Sequence, residues 1–128
     1  MLSDFTPVTT LAVRDLQAAR QFYESVLGFA PGTDVDEGVF YTAGNSQFFV
    51  YQSQYAGTNQ ATAMSFQVTV DAFDAEVEAV RTAGVTFDTF EAPGVTWTDG
   101  VARMGDQMLG VWFKDPDGNI LNIDTLLQ

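Results

Sequence analysis

The first half of the chain alternates between hydrophobic and polar residues in a pattern that predicts a strand, a helix and further strands. Residues 7–13 form a strand-length run, and Asp15 is placed to cap a helix. Apolar residues then recur at helical spacing as far as Leu27, and Gly28 is expected to end the helix. Two more strands are predicted after the helix, at 38–43 and 47–52.

The second half repeats this order. Residues 64–70 predict a strand, Asp71 is placed to cap a second helix, and Gly84 is expected to end it. Residues 94–100 contain Trp97 and predict a loop between helix and sheet. The remaining strands are predicted at 101–104, 108–114 and 119–125.

The pattern is therefore a βαβββ unit given twice, which predicts the α+β class. We expect one domain over residues 1–128, with repeat one at about 5–54 and repeat two at about 63–128. The polar, glycine-containing segment 55–63 predicts the connector between the repeats.

Alternation within the strands predicts two different sheet faces. One face is apolar enough to receive the helices, since helix and strand periods must meet in one core. The other face is mixed, and is either an ordinary solvated surface or the wall of a concave ligand pocket. Its predicted residues are Thr10, Phe49, Tyr51, Ser65, Gln67, Trp112, Asn122 and Asp124, and the positions of the aromatic ones depend on strand register.

Composition narrows the chemistry. Seventeen acidic and five basic residues give a net charge of −12, which disfavours nucleic acid and anionic membranes as partners. This charge serves either solubility or attraction of a cationic ligand. The chain has no cysteine, and no stretch long enough to span a membrane, so we expect a cytoplasmic protein.

Two segments resemble the vicinal oxygen chelate superfamily, which includes glyoxalases, extradiol dioxygenases and bleomycin-resistance proteins. The segment 13–16 with 22–29 resembles the opening signature of that family, and 113–119 resembles the turn before its last strand. The resemblance covers essentially the whole chain. It implies paired βαβββ repeats forming a cupped mixed sheet, with the helices on the convex face. It does not settle function, because this fold hosts many chemistries.

The resemblance also implies four metal-ligand positions, one on the first and one on the last strand of each repeat. Residue by residue, these positions fall on Val8, Phe49, Ser65 and Asn122, with Val50 or Tyr51 in place of Phe49 if the register slips. None is a good ligand for Zn, Fe(II), Mn or Ni, and the chain has no histidine. We therefore expect no metal and no cofactor.

Three further residues are candidates for ligand binding. Trp97 either closes the expected pocket or packs against the fold as a satellite aromatic residue. Arg103 either pairs with an acidic group of a ligand or forms a surface ion pair. Asp124 is the only acid placed on the mixed face, where it is expected to bind a ligand or attract its cation.

Two functions follow from these expectations. The first is a metal-independent binding protein that sequesters an aromatic or cationic compound, such as an antibiotic, as in the metal-free bleomycin-resistance branch. The resemblance implies that such a protein is a homodimer with a small-molecule ligand as its partner. The alternative is an enzyme, namely a metal-independent lyase or isomerase relying on Asp124, or one with a nonstandard metal site.

Overall fold

A computed structural model describes residues 1–105 and 108–125. The chain forms two compact units, one of residues 1–59 with 116–119, and one of the remaining described residues. The fold is α+β, with two mixed sheets and few helices, as the sequence predicts. Within the described residues, no helix has the length and apolar character needed to span a membrane.

Unit 1 contains a four-stranded sheet of order β1-β4-β3-β2. The pairing of β1 with β4 is parallel, and the other pairs are antiparallel. The strands are β1 Thr9–Val13, β2 Thr33–Val35, β3 Gly38–Ala43 and β4 Ser46–Gln52. The helix is α-helical over Leu16–Arg20, here α1, and continues as a π-helix over Gln21–Val26; a short 3₁₀ helix, Leu2–Asp4, precedes β1.

Unit 2 contains a five-stranded sheet of order β5-β9-β8-β7-β6. Its first and last strands, β5 and β9, again pair in parallel. The helix α2, Val70–Thr82, packs against β8 and β9 and buries Phe73 and Val77. The strands are β5 Thr62–Gln67, β6 Thr96–Thr98, β7 Val101–Arg103, β8 Leu109–Lys114 and β9 Ile120–Asp124.

The core of unit 1 lies on one side of its sheet. Tyr23 from the π-helix places its ring 5.8 Å from that of Tyr41 and 5.6 Å from that of Phe48. All three side chains are buried, as are Leu11 and Val50 on the same sheet. The alternate positions of these strands therefore face away from the helix, which creates an open face.

The two family-like segments meet within unit 1. The backbone N–H of Arg14 donates to Oδ1 of Asp117 at 3.0 Å, and Nδ2 of Asn119 donates to the carbonyl of Ala12 at 2.8 Å. The turn before the last strand is thus attached to the segment that connects β1 with α1. Asp117 and Asn119 therefore have a structural role that accounts for their residue types.

The structure corrects several predicted boundaries. The first helix is not α-helical to Leu27, because its last turns adopt π geometry before Gly28 takes a φ of +84°. Asp71 is not a cap: Thr69 precedes α2 and its hydroxyl accepts from the Ala72 N–H at 3.2 Å. Val70, predicted in a strand, is the first residue of α2. Asp15 does cap α1, as predicted, by accepting from Ala18.

Two strands are absent from the sequence prediction. Segment 94–100, predicted as a loop, contains β6, which forms a hairpin with β7. Asp99 and Gly100 connect them with φ values of +51° and +80°, the conformation of a type I′ turn. The other strand, β2, is only three residues long, and all three of its residues are exposed. Short edge strands carry too few residues for a periodic signal.

Candidate functional site

The open face of unit 1 carries a row of aromatic rings. The rings of Phe40 and Phe49 stack with centroids 4.4 Å apart, and those of Phe49 and Tyr51 lie 5.8 Å apart with planes 3° from parallel. All three side chains are partly exposed. We call this set, with Thr10 and Gly38, the unit-1 surface. The register places Thr10 beside Phe49 and Gly38 beside Tyr51.

The open face of unit 2 carries a second aromatic cluster. Trp97 and Trp112 lie with ring centroids 6.0 Å apart, and Phe90 contacts both rings edge-on at 5.2 and 5.1 Å. Nε1 of Trp112 donates to the hydroxyl of Thr62 at 3.2 Å. Trp97, on β6, therefore belongs to an aromatic cluster with Trp112 and Phe90. We call this cluster the unit-2 surface, together with Ser65, Gln67, Asn122 and Asp124.

Polar residues of β5 and β9 form the other part of the unit-2 surface. Ser65 pairs in register with Asn122, and Gln67 pairs with Asp124. Asn122 is only 1% exposed, and its Nδ2 lies 3.4 Å from the carbonyl of Val111. Asp124 is partly exposed, so of the two β9 residues its side chain is the one more accessible to a ligand.

The predicted site residues thus divide between the two units. Thr10, Phe49 and Tyr51 share the unit-1 surface, and six others share the unit-2 surface. Arg103 joins neither: on β7 it pairs with Leu109 and Thr96, so it alternates away from Trp97. The structure therefore does not bring Arg103 to the aromatic clusters.

The two faces share one register pattern. Across the first, last and next-to-last strands of each repeat, one row is Thr10–Phe49–Phe40 in unit 1 and Ser65–Asn122–Trp112 in unit 2. The next row is Ala12–Tyr51–Gly38 in unit 1 and Gln67–Asp124–Gly110 in unit 2. Equivalent positions have therefore diverged: on the last strand, unit 1 has aromatic residues where unit 2 has an amide and a carboxylate.

A partly exposed polar network lies on the helix side of the unit 1 sheet. The Tyr41 hydroxyl donates to Oε2 of Glu24 at 2.7 Å, and Nε of Arg20 lies 3.0 Å from the same oxygen. Arg20 also pairs with Asp34 of β2. Burial, followed by the hydrogen bond to Glu24, raises the pKa of Tyr41 well above its usual range. These charges belong to the helix side and not to the unit-1 surface.

Comparison with known proteins identifies the family. The profile of the Glyoxalase/Bleomycin resistance protein/Dioxygenase superfamily matches residues 6–123. The chain belongs to this superfamily. No curated protein matches the sequence as a relative.

Solved structures show the same superfamily fold at low sequence identity. The Listeria monocytogenes fosfomycin resistance protein FosX, complexed with Mn(II) and sulfate, has 14% identity and a TM-score of 0.67, over 93% of this chain and 87% of that one. A glyoxalase/bleomycin resistance protein/dioxygenase from Alicyclobacillus acidocaldarius has 17% identity and a TM-score of 0.68, over 93% and 90%. The oxidase ChaP-H2 has 23% identity and a TM-score of 0.63, over 94% and 93%. These similarities establish the fold.

The residues at the superfamily's expected metal positions do not suit a transition metal. Ser65 and Asn122 are register partners, and the corresponding pair in unit 1 is Thr10 with Phe49. Val8 precedes β1, so the structure favours Thr10 over Val8 as the equivalent of Ser65. Hydroxyl, amide and phenyl groups are poor ligands for Zn, Fe or Mn. Nowhere in residues 1–105 and 108–125 do three or more His, Cys, Asp or Glu side chains cluster as metal ligands.

Sequence reasoning missed four residues of the two surfaces. Phe40 and Gly38 follow from the alternation in β3, once the face of Phe49 is known. Gly110 lies two residues before Trp112 on the same strand, so alternation places it on the face of Trp112. Phe90 lies outside the strands, so no periodic signal could have placed its ring against the two tryptophans.

Proposed function

We propose that this protein is a metal-independent small-molecule binding protein that sequesters an aromatic or cationic compound, such as an antibiotic. The proposal includes membership of the metal-free, bleomycin-resistance-like branch, a cytoplasmic location and a homodimeric state. Among the neighbouring structures, fosfomycin resistance proteins and a glyoxalase/bleomycin resistance protein carry names from antibiotic resistance. Size-exclusion chromatography with light scattering tests the dimer.

One observation carries the proposal. At the positions where the resemblance to the superfamily implies metal ligands, this chain has Val8 or its neighbour Thr10, with Phe49, Ser65 and Asn122, and partly exposed aromatic rings lie on the same sheet faces. Aromatic surfaces with a few polar groups are typical of small-molecule sites. Without suitable ligands, these positions offer stacking and hydrogen bonds where the enzymes of the superfamily offer a Lewis acid.

Asp124 supports the cationic part of the ligand class. It lies on the same face as Trp112, and a Cβ built on Gly110 would stand 3.2 Å from the indole and 3.5 Å from the Asp124 Cβ. A carboxylate on the same sheet face as the Trp112 indole attracts a cation by charge, and the face of the ring adds cation–π attraction. The overall charge of −12 acts in the same direction.

The binding experiment uses the fluorescence of Trp97 and Trp112. We expect quenching by 9-aminoacridine, a planar cation, without product formation by mass spectrometry. Changing Asp124→Asn should weaken this binding by about tenfold, because a nearby charge pair contributes on the order of 1 kcal/mol or more at a partly exposed site. Asp74→Asn on the exposed side of α2 is the matched control, since it removes the same charge elsewhere. Equal losses of affinity for 9-aminoacridine in the two variants would show that Asp124 does not bind the cation.

Metal content separates the proposal from metal-dependent catalysis. We expect the purified protein to contain no stoichiometric Zn, Fe, Mn or Ni, because the expected positions lack suitable ligands. Elemental analysis after purification without chelator provides the measurement. One tightly bound transition metal per chain would contradict the proposal.

An enzyme is the second candidate. Its supporting observation is the partly exposed carboxylate of Asp124 on a face that also carries Ser65 and Gln67, since such a carboxylate can act as a general base. The oxidase among the structural neighbours shows the fold with another activity in its name. Conversion of a bound compound in the absence of metal, abolished in Asp124→Asn, would favour this candidate over sequestration.

A further inference from the structure

The unit-1 surface differs in chemistry from its counterpart in unit 2. We propose that it is a stacking site for an uncharged, planar, conjugated ring system. It differs in this from the unit-2 surface, where Asp124 is proposed to favour a cation. This inference rests on the proposed function and narrows the ligand class at one surface. Three observations support it: the arrangement of the rings, the glycine beneath them and the distribution of charge.

The rings form a continuous apolar area. Phe40 stacks on Phe49 at 4.4 Å, and Phe49 and Tyr51 are parallel within 3°. Side chains at such positions contact each other along and across strands, so the row spans β3 and β4. A rigid planar ligand gains most from such an area, because stacking on aromatic rings needs no directional partner.

Gly38 determines how the row is arranged. A Cβ built on Gly38 would lie 2.4 Å from Cζ and 2.5 Å from Cε1 of Phe49. The Phe49 ring therefore extends over the backbone of β3, in space that any other residue at position 38 would occupy. Gly38 is buried beneath this ring and has no positive φ, so close approach and not backbone conformation explains the glycine.

The one charged residue within the strands of unit 1, Asp34, lies on the other side of the sheet. Asp34 pairs in register with buried Val39, and its carboxylate pairs with Arg20. On the open face, the residues from β1, β3 and β4 are uncharged, and polarity comes from hydroxyl and amide groups such as those of Thr10, Thr42 and Gln47. A charged ligand group would lose water here without an ionic partner. The surface therefore favours an uncharged ring, which Thr10 can orient by a hydrogen bond.

The test uses two tricyclic probes of similar shape. Acridine is uncharged in mildly alkaline buffer, whereas 9-aminoacridine is a cation. Calorimetry or probe fluorescence measures the affinity of the full chain and its variants for each. We expect Phe49→Leu and Tyr51→Leu each to weaken acridine binding by about tenfold. Asp124→Asn should leave acridine binding unchanged.

Two controls separate surface chemistry from general damage. Tyr55→Leu removes an aromatic ring that is 73% exposed in the turn after β4, and should leave acridine binding unchanged. Gly38→Ala keeps all three rings but displaces that of Phe49, and should weaken acridine binding several-fold. Circular dichroism and thermal melting show whether each variant is folded, and Tyr51→Leu provides the result if Gly38→Ala does not fold.

The outcomes distinguish this inference from the proposed function. If the wild type binds 9-aminoacridine but not acridine, the inference is overturned and the proposed function stands. Acridine binding that falls in Asp124→Asn but not in the Phe49 and Tyr51 variants also overturns it. If these two variants weaken self-association and leave acridine binding intact, the surface is a contact between copies. Failure to bind either probe contradicts both proposals.

Discussion

Individual glycines shape both aromatic surfaces of this protein. Gly38 leaves space for Phe49, and Gly110 leaves space for the indole of Trp112, whose nearest atoms lie 3.2 Å from the position of an added Cβ. The two glycines occupy equivalent positions on β3 and β8. At Gly38 the space is taken by a ring from the neighbouring strand, and at Gly110 the nearby ring belongs to the same strand, so equivalent glycines lie beside different side chains in the two repeats.

Tyr41 gives a prediction for stability against pH. Its folded-state pKa is raised, so the unfolded chain loses this proton first as the pH rises above about 10.0. The contribution of Tyr41 is therefore complete below that pH and decreases above it. Tyr41→Phe should cost about 1–3 kcal/mol near neutral pH, since it removes a hydrogen bond to a carboxylate.

Chemical denaturation across the alkaline range checks this expectation. The decline in the free energy of unfolding above about pH 10 should be shallower in Tyr41→Phe than in the wild type. Exposed Tyr55→Phe serves as the control and should behave as the wild type. The same alkaline slope in both variants would show that Tyr41 does not contribute to it.

Among the secondary-structure elements, the presence of each helix was predictable, whereas its first residue and its cap were predicted in the first repeat only. Asp15 and Asp71 both precede or begin a helical pattern, yet only Asp15 caps. In the second repeat α2 begins at Val70, so the Thr69 hydroxyl accepts from the N–H of Ala72 and Asp71 lies inside the first turn. The difference arises because the strand ends at Gln67 and fixes where the helix can start.

The caps give a prediction for α2. Thr69→Ala should lower the free energy of unfolding by about 1 kcal/mol, because the Ala72 N–H loses its side-chain acceptor and keeps only the Thr69 carbonyl at 3.1 Å. Asp71→Ala should cost no more than about 0.5 kcal/mol, since it removes only a favourable charge near the helix N-terminus. Urea denaturation of the two variants measures the difference. A larger loss of stability in Asp71→Ala than in Thr69→Ala would support Asp71 as the helix cap, as the sequence predicts.

At the scale of the whole molecule, acidic residues outnumber basic ones and the basic ones are largely engaged. Arg20 pairs with Glu24 and Asp34, Arg81 lies 3.8 Å from Glu78, and Lys114 lies 3.6 Å from Asp88. Five basic residues cannot balance seventeen acidic ones, so a net charge of −12 remains. Such a field attracts cations over distances comparable to the screening length.

Salt should therefore separate the two probes. Between about 0.01 M and 1 M NaCl, where the screening length falls from roughly 30 Å to 3 Å, 9-aminoacridine affinity should fall by on the order of tenfold. Acridine affinity should stay constant or rise slightly, because salt does not weaken apolar burial. Titrations in a salt series measure both. Parallel losses for the two probes would argue against electrostatic attraction.

The sequence by itself determined the repeated strand and helix order, the α+β class and the superfamily, since these follow from periodicity and local motifs. The absence of histidine and cysteine is likewise a matter of residue type alone. Only the tertiary structure placed Phe40 beside Phe49, brought Phe90 to the tryptophans and turned Arg103 away. Register and close approach across strands decide such neighbours, and residues far apart in sequence meet only when the sheet has formed.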